Sequence, residues 1–296
     1  MTCAPSRAFL GGRARVADDG PVPPLTFEPL GDGAHPDLEP YKTLRLRKDV
    51  GRLARFVAEG DKVVDRLLES PFPVESLLLT TKALARIRHL LDARPEPIRV
   101  FLAATKAEID AVTGFRSEDV KAVGRIVAAP TLDDVLRDSP RPRLFAAIDG
   151  ITNAENVGVV VRNSAGLGAH ALLVADTSCS PFLTRAIRTS MGAIFRLPAV
   201  EGLALPAALS RLRAAGVRCV AAHPAATTRP LPGVDLSGDV CVVLGSEGTG
   251  ISEAVLETCD EAVAVPMASG VDSLNVGSAA AAFFYEAWRQ RRTPAR

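Results

Sequence analysis

Five short apolar segments in the second half of the chain, at 144–148, 171–175, 217–222, 240–244 and 262–265, constrain the fold most, because stretches of helical spacing separate them. Runs of this length without polar alternation are strands buried on both faces. Strands joined by helices pair in parallel, since the crossover carries the chain back to the same end of the sheet. An α/β domain with a mostly parallel sheet and helices on both faces is therefore expected over 143–296. In such sheets ligands sit beyond the carboxyl ends of strands, so the segments leaving these strands are where chemistry is sought.

The first half carries a weaker version of the same pattern. Leu44, Val50, Leu53 and Phe56 recur at near-helical intervals among Lys42, Arg45, Arg47, Lys48, Arg52 and Arg55, which predicts a helix with one apolar and one basic face. Helices are expected at 61–70, 82–91 and 106–113 and strands at 76–80, 98–103 and 124–129, together a small α/β domain over 41–130. Residues 1–40 mix Pro, Gly and charge without a period and read as a flexible arm; 131–142 reads as a linker holding a short helical turn.

Composition acts mainly by exclusion. With 35 Lys and Arg against 34 Asp and Glu the net charge is +1, so a surface for a polyanion has to come from local clustering. The five cysteines contain no C-x-x-C pair and the four histidines are scattered along the chain, so no metal site is expected. No apolar run approaches the roughly 20 residues that span a bilayer, and the expectation is a soluble cytoplasmic protein without a membrane partner.

Three segments carry chemical potential. Asp149-Gly-Ile-Thr-Asn-Ala-Glu-Asn156-Val-Gly-Val-Val-Val-Arg162 leaves a strand and enters a helix; Asn156 either caps that helix or serves a site, and Arg162 either makes a surface ion pair or serves the same site. Leu244-Gly-Ser-Glu-Gly-Thr-Gly-Ile251 places three glycines after a buried strand, with Glu247 among them. Such a loop lets backbone approach a ligand closely, and its spacing is not that of a phosphate-cradling P-loop. Pro266-Met267 through Ser273-Leu274-Asn275-Val-Gly-Ser-Ala279 joins a strand to a helix of small residues, and Asn275 is a capping neighbour or a site residue. Gly166-Leu-Gly-Ala-His-Ala171 imitates a dinucleotide fingerprint, but there a helix precedes the glycines and a strand follows, the reverse of the required order.

Taken together and in this order, the three segments resemble the signature motifs of the SpoU (TrmH-like) family of RNA 2′-O-ribose methyltransferases, of the SPOUT class. Arg188-Thr-Ser-Met-Gly-Ala-Ile-Phe-Arg-Leu-Pro198 is also similar to a family segment, and the likeness runs over 144–288. Phe56-Val-Ala-Glu-Gly60 with the following helix looks like the start of the small substrate-binding domain that many members carry. Ser246 stands where the family more often has Asn, and the arm has no counterpart.

The resemblance implies a deep C-terminal trefoil knot, S-adenosyl-L-methionine as cofactor, a homodimer, and RNA as partner, with ribosomal RNA favoured over transfer RNA. It implies catalytic roles for Arg162, Asn156, Glu247, Ser273 and Asn275. Cofactor contacts would come from Leu244, Gly245, Ser246, Gly248, Val265, Met267 and Leu274. RNA would be met by Lys42, Arg45, Arg47, Lys48, Arg52 and Arg55 and by Arg185 and Arg188. No histidine lies in the motifs, and a guanidinium is a poor base, so Arg162 would either be forced neutral or stay charged and polarise the hydroxyl. The competing reading is a non-catalytic RNA-binding or ribosome-assembly module that keeps the fold.

Overall fold

The computed structural model describes residues 25–31, 35–43, 50, 53–116, 118–126, 129–224 and 229–292. A first sheet holds β1 (Thr26–Pro29), β2 (Arg55–Glu59), β3 (Val74–Thr80), β4 (Arg99–Ala103) and β5 (Val120–Arg125) in the order β1-β4-β3-β5-β2. β4 pairs in parallel with β1 and β3, and β5 pairs antiparallel with β3 and β2. Around it lie α1 (Glu39–Thr43), α2 (Asp61–Leu68), α3 (Thr81–Leu91) and α4 (Lys106–Thr113). The hydroxyls of Thr80 and Thr105 cap α3 and α4 by accepting from the backbone N–H groups of Ala83 and Glu108.

Two expectations are revised here. The stretch read as a loose arm enters the sheet as β1, and Leu30, Leu38 and Tyr41 are buried against Phe101 and Val57. Those apolar residues follow no regular period, which is why the pattern hid them. The basic helix expected in the stretch up to Phe56 does not reach that residue: Val50 and Leu53 are helical, but Arg55 begins a strand, ion-paired to Glu75 at 2.8 Å. Residues 56–59 of β2 are all buried, so the strand shows no alternation to betray it. Lys42 sits in the last turn of α1; Arg45, Arg47, Lys48 and Arg52 lie outside the described residues.

The second sheet runs β10-β12-β9-β11-β6-β7-β8, all pairs parallel. It comprises β6 (Leu144–Asp149), β7 (Ala171–Ala175), β8 (Ala199–Leu203), β9 (Arg218–Ala222), β10 (Arg229–Pro230), β11 (Val240–Gly245) and β12 (Glu261–Ala264). The expected strands are present, and β8 is added at the edge, where exposed Glu201 and Gly202 break any apolar run.

Alternate strand residues serve two cores. Leu144, Ala146, Ile148, Val242 and Leu244 pack under α6 (Ala154–Gly166), α7 (Thr184–Thr189) and α10 (Val276–Arg292). Phe145, Ala147, Cys241 and Val243 pack under α5 (Leu132–Asp138), α8 (Leu205–Ala214) and α9 (Glu253–Thr258). From β6 the chain steps outward through β7 to β8 and then crosses to β9 on the opposite side, so the carboxyl ends of β6 and β11 lie where the winding reverses.

The two sheets meet through aromatic rings. Phe56 of β2 lies 5.4 Å from Phe195 and 5.5 Å from Phe182, centroid to centroid, with Phe72 closing the cluster. Among the described residues no helix is long and apolar enough to cross a membrane, and no group of His, Cys, Asp or Glu could hold a metal ion.

Candidate active site

The first motif forms the start of α6. Its cap is Asn153, whose side chain accepts from the N–H of Glu155 at 2.9 Å, so Asn156 is released from capping and lies buried in the first turn. Small residues let neighbouring helices press in: a Cβ on Gly158 would stand 2.6 Å from the carbonyl oxygen of Ala186 in α7, and one on Gly277 would collide with Val159. Asn163 donates to the carbonyl of Gly277 at 2.7 Å, which pins α10 along the same face of α6 that carries Asn156.

The second motif is a tight loop at the end of β11. Ser246 and Gly250 exchange backbone hydrogen bonds of 3.0 Å in both directions, and the hydroxyls of Ser246 and Thr249 lie 2.8 Å apart. A Cβ on Gly245 would overlap the backbone of Gly250 and Ile251, and Gly250 itself has φ of 70°, so this hairpin is closed by the absence of side chains. Ser246 thus ties the loop to itself.

This loop and the third motif wall a cavity of about 500 Å³ beyond the ends of β9, β11 and β12. Leu244, Gly245, Ser246, Glu247, Gly248, Val265, Met267, Ser273, Leu274 and Asn275 all line it. Leu244, Val263 and Phe283 supply a buried apolar floor, while Glu247, Ser273 and Asn275 are exposed at the rim. Asn275 joins the three motifs: its amide donates to Asn156 Oδ1 at 3.3 Å and to Glu247 Oε1, and its own Oδ1 accepts from the N–H of Gly277 at 2.8 Å. The side chain of Asn275 thus caps α10 and at the same time stands at the rim of the cavity.

The cavity also has walls that motif reading did not name, Ala222, His223 and Pro224 at the end of β9. The available signal was the apolar run ending at Ala222, because a strand adjacent to β11 must open onto the same side.

Arg162 is not among the residues lining this cavity. It lies on the third turn of α6, exposed and without an ion pair or hydrogen bond among the described residues. Arg185 and Arg188 lie on α7, away from the cavity; Arg188 meets Glu59 of the first sheet at 3.2 Å, and Arg185 is 3.9 Å from Glu155.

Comparison with known proteins bears directly on this site. Residues 143–285 match the SpoU rRNA Methylase family. Over 287 residues the chain is 32% identical to an uncharacterized tRNA/rRNA methyltransferase of Mycobacterium bovis, covering 94% of this chain and 96% of that protein. A like-named protein of Mycobacterium marinum is 40% identical over 296 residues, covering 96% of this chain and 92% of the other. Among solved structures, the SpoU methyltransferase AviRb of Streptomyces viridochromogenes, in complex with the cofactor AdoMet, superposes with a TM-score of 0.75 at 26% identity, covering 87% of this chain and 99% of that one. An AdoMet-bound rRNA methyltransferase of Sinorhizobium meliloti shares the fold with a TM-score of 0.74 at 22% identity, over 89% of this chain and 98% of that one.

Proposed function

The chain belongs to the SpoU rRNA methylase family of RNA methyltransferases, and within it we propose that this protein uses S-adenosylmethionine to methylate a ribose 2′-hydroxyl, with ribosomal RNA in the cytoplasm as its target. The observation that carries the reading is Asn275 bridging Asn156 and Glu247, since it ties the start of α6 to the two segments that wall the cavity.

The cavity suits the cofactor. Its apolar floor matches a purine face, and in the loop above it Gly248, where a Cβ would meet nothing within 4 Å, leaves room for a ligand beside the backbone. Backbone at Gly245, Val265 and Leu274 would hold that half, with Leu244, Ser246, Gly248 and Met267 completing the walls. When bound, the cofactor supplies an electrophilic methyl group on a sulfonium. The protein must then align a hydroxyl with that methyl and assist loss of its proton.

We assign the alignment to Asn156, Ser273 and Asn275, with Glu247 holding the Asn275 amide. Arg162 acts electrostatically, gripping a phosphate beside the target ribose and polarising the hydroxyl. We infer a homodimer in which a second copy completes the site, since Arg162 is exposed and is not among the residues lining the cavity of its own chain. Exposed Val271, Leu274, Tyr285 and Trp288, on and before α10, offer apolar surface for such pairing. For this half of the chain we propose the deep trefoil knot that the family resemblance implies; the chain leaving β11 passes β9 to reach β12 before α10 returns onto α6.

The test is methyl transfer from labelled S-adenosylmethionine to ribosomal and transfer RNA, followed by alkaline hydrolysis, which a 2′-O-methyl ribose resists. A protected linkage in ribosomal RNA is expected. Label on a base would overturn the ribose assignment, and calorimetry without S-adenosylmethionine binding would return the chain to a non-catalytic RNA-binding module.

A further inference from the structure

A second cavity, of about 510 Å³, opens where the two sheets meet, with Glu59, Phe115, Arg116 and Lys121 on one side and Arg185 and Arg188 on the other. Its charge is one-sided: four cations face a single carboxylate, Glu59. That carboxylate is already engaged. Glu59 and Lys121 are register partners on β2 and β5, their side chains 7% and 1% exposed, with Oε2 2.5 Å from Nζ; Oε1 lies 3.2 Å from Arg188 Nη1. Burial of this pair fixes the floor of the cavity and orients Arg188 above it.

The remaining cations are oriented outward. Arg188 is 52% and Arg185 74% exposed, and among the described residues the latter has only Glu155, at 3.9 Å, as an ion-pair partner. Arg116 is exposed as well. The half-buried ring of Phe115 stands with its centroid 4.7 Å from Lys121 Nζ, which adds an aromatic surface to a cationic wall. Guanidinium groups recognise phosphate, and an aromatic ring stacks a base without regard to its identity; together they fit a nucleotide better than a carboxylate or a free inorganic anion. The volume falls within the roughly 300–1,000 Å³ of small-ligand sites, room for one unpaired nucleotide and not for a duplex.

The location agrees with a polynucleotide strand. Ala154 lines this cavity, and two residues along the same helical turn Asn156 bonds to Asn275 at the rim of the other one. A strand crossing the start of α6 would touch both. We propose that the inter-sheet cavity is a subsite for one unpaired nucleotide of the RNA substrate, near the ribose to be methylated and distinct from it. Its base lies against Phe115, and its phosphate is held by Arg116, Arg185 and Arg188. This ligand rests on the RNA methyltransferase reading, whereas the subsite can be tested without catalysis.

The experiment is fluorescence anisotropy of the full chain with a labelled single-stranded oligoribonucleotide and with the corresponding duplex, over a range of salt, with S-adenosylmethionine affinity measured in parallel by calorimetry. The Arg116→Ala/Arg185→Ala double variant is expected to bind the single strand roughly tenfold more weakly and to flatten the log–log salt dependence by about 0.7 for each phosphate that is no longer neutralised. Phe115→Leu is expected to weaken single-strand binding by roughly tenfold, with a smaller effect on the duplex. S-adenosylmethionine binding stays at the parent value throughout. Arg211→Ala/Arg213→Ala, the same charge change on α8, leaves RNA affinity unchanged. An unaltered salt slope in Arg116→Ala/Arg185→Ala, or an equal weakening in Arg211→Ala/Arg213→Ala, overturns the subsite. If the parent binds RNA with this variant pattern yet transfers no methyl group, the methyltransferase reading fails and the subsite stands; if it methylates RNA and the variants bind like the parent, the reverse holds.

Discussion

Asp149, the last residue of β6, accepts a 2.8 Å hydrogen bond from the backbone N–H of Ser252, while its register partner across the sheet is Gly245. One carboxylate thus restrains the far end of the glycine-rich loop whose near end lies beside it. Its other oxygen is 3.4 Å from the Thr177 hydroxyl, which anchors the side chain from behind.

Replacing Asp149 by Ala is expected to loosen the loop and lower S-adenosylmethionine affinity about tenfold, since an orphaned backbone donor costs roughly 1–3 kcal/mol. Asp149→Asn, which retains an acceptor oxygen, should restore most of that affinity. Calorimetry that found Asp149→Ala binding like the parent would show that the carboxylate does not clamp the loop.

Gly245→Ala tests the closure of the same loop directly. The new methyl group would overlap the backbone of Gly250 and Ile251, and neither can move without opening the hairpin. A stability loss of about 1–3 kcal/mol is expected in denaturant titration, together with loss of cofactor binding. Gly248→Ala, where a Cβ meets nothing within 4 Å, should leave stability near the parent.

Arg162→Ala is expected to abolish methyl transfer while leaving the melting temperature and cofactor affinity unchanged, because the side chain is exposed and lies outside the cavity wall. If the second copy supplies it, mixing Arg162→Ala with a variant defective in cofactor binding restores part of the activity. Equal turnover by Arg162→Ala and the parent would take this residue out of the mechanism.

His170 makes stability depend on pH. Burial holds its imidazole below the ordinary 6.5, helped by Arg291 and opposed by Asp239, and the neutral Nδ1 accepts from the N–H of Leu144 at 3.2 Å. Above 6.5 both folded and unfolded chains carry neutral histidine; below it the unfolded chain binds the proton first, so stability falls as pH drops toward the folded pKa. Melting curves across that window should be steeper in pH for the parent than for His170→Asn. Identical pH profiles would show that His170 does not contribute.

The thiols at Cys241 and Cys259 should resist alkylation in the native state. A hydrogen bond with Cys219 and burial raise Cys241, and burial pushes Cys259 up to about 12. At pH near 8 only about one Cys259 in ten thousand would be thiolate, the reactive form. Mass mapping after iodoacetamide should find both modified only once the chain is unfolded; rapid native labelling of Cys259 would contradict this.

The second half of the fold was legible because its signals are local. A strand such as Val240–Gly245 is apolar at every position that both cores need, and the loop after it announces close backbone approach through its glycines. The first half was less so. In β2 the buried run from Phe56 to Glu59 contains a carboxylate that is tolerated because Lys121 stands opposite and Arg188 reaches its other oxygen, a fact no spacing reveals. Likewise Leu30 and Tyr41 join a core through chain that has no period of its own.

Among the candidate site residues, the amino-acid order by itself determined that Asn156, Glu247 and Asn275 would stand beyond strand ends, since burial pattern and loop composition are properties of neighbouring residues. Only the tertiary structure decided that Asn275 bridges the other two, that β9 lends Ala222 and His223 to the cavity, and that Arg162 lies outside it. Asn156 and Asn275 are 119 positions apart, and contacts closed over such lengths depend on how whole elements pack, which leaves no periodic trace in the chain.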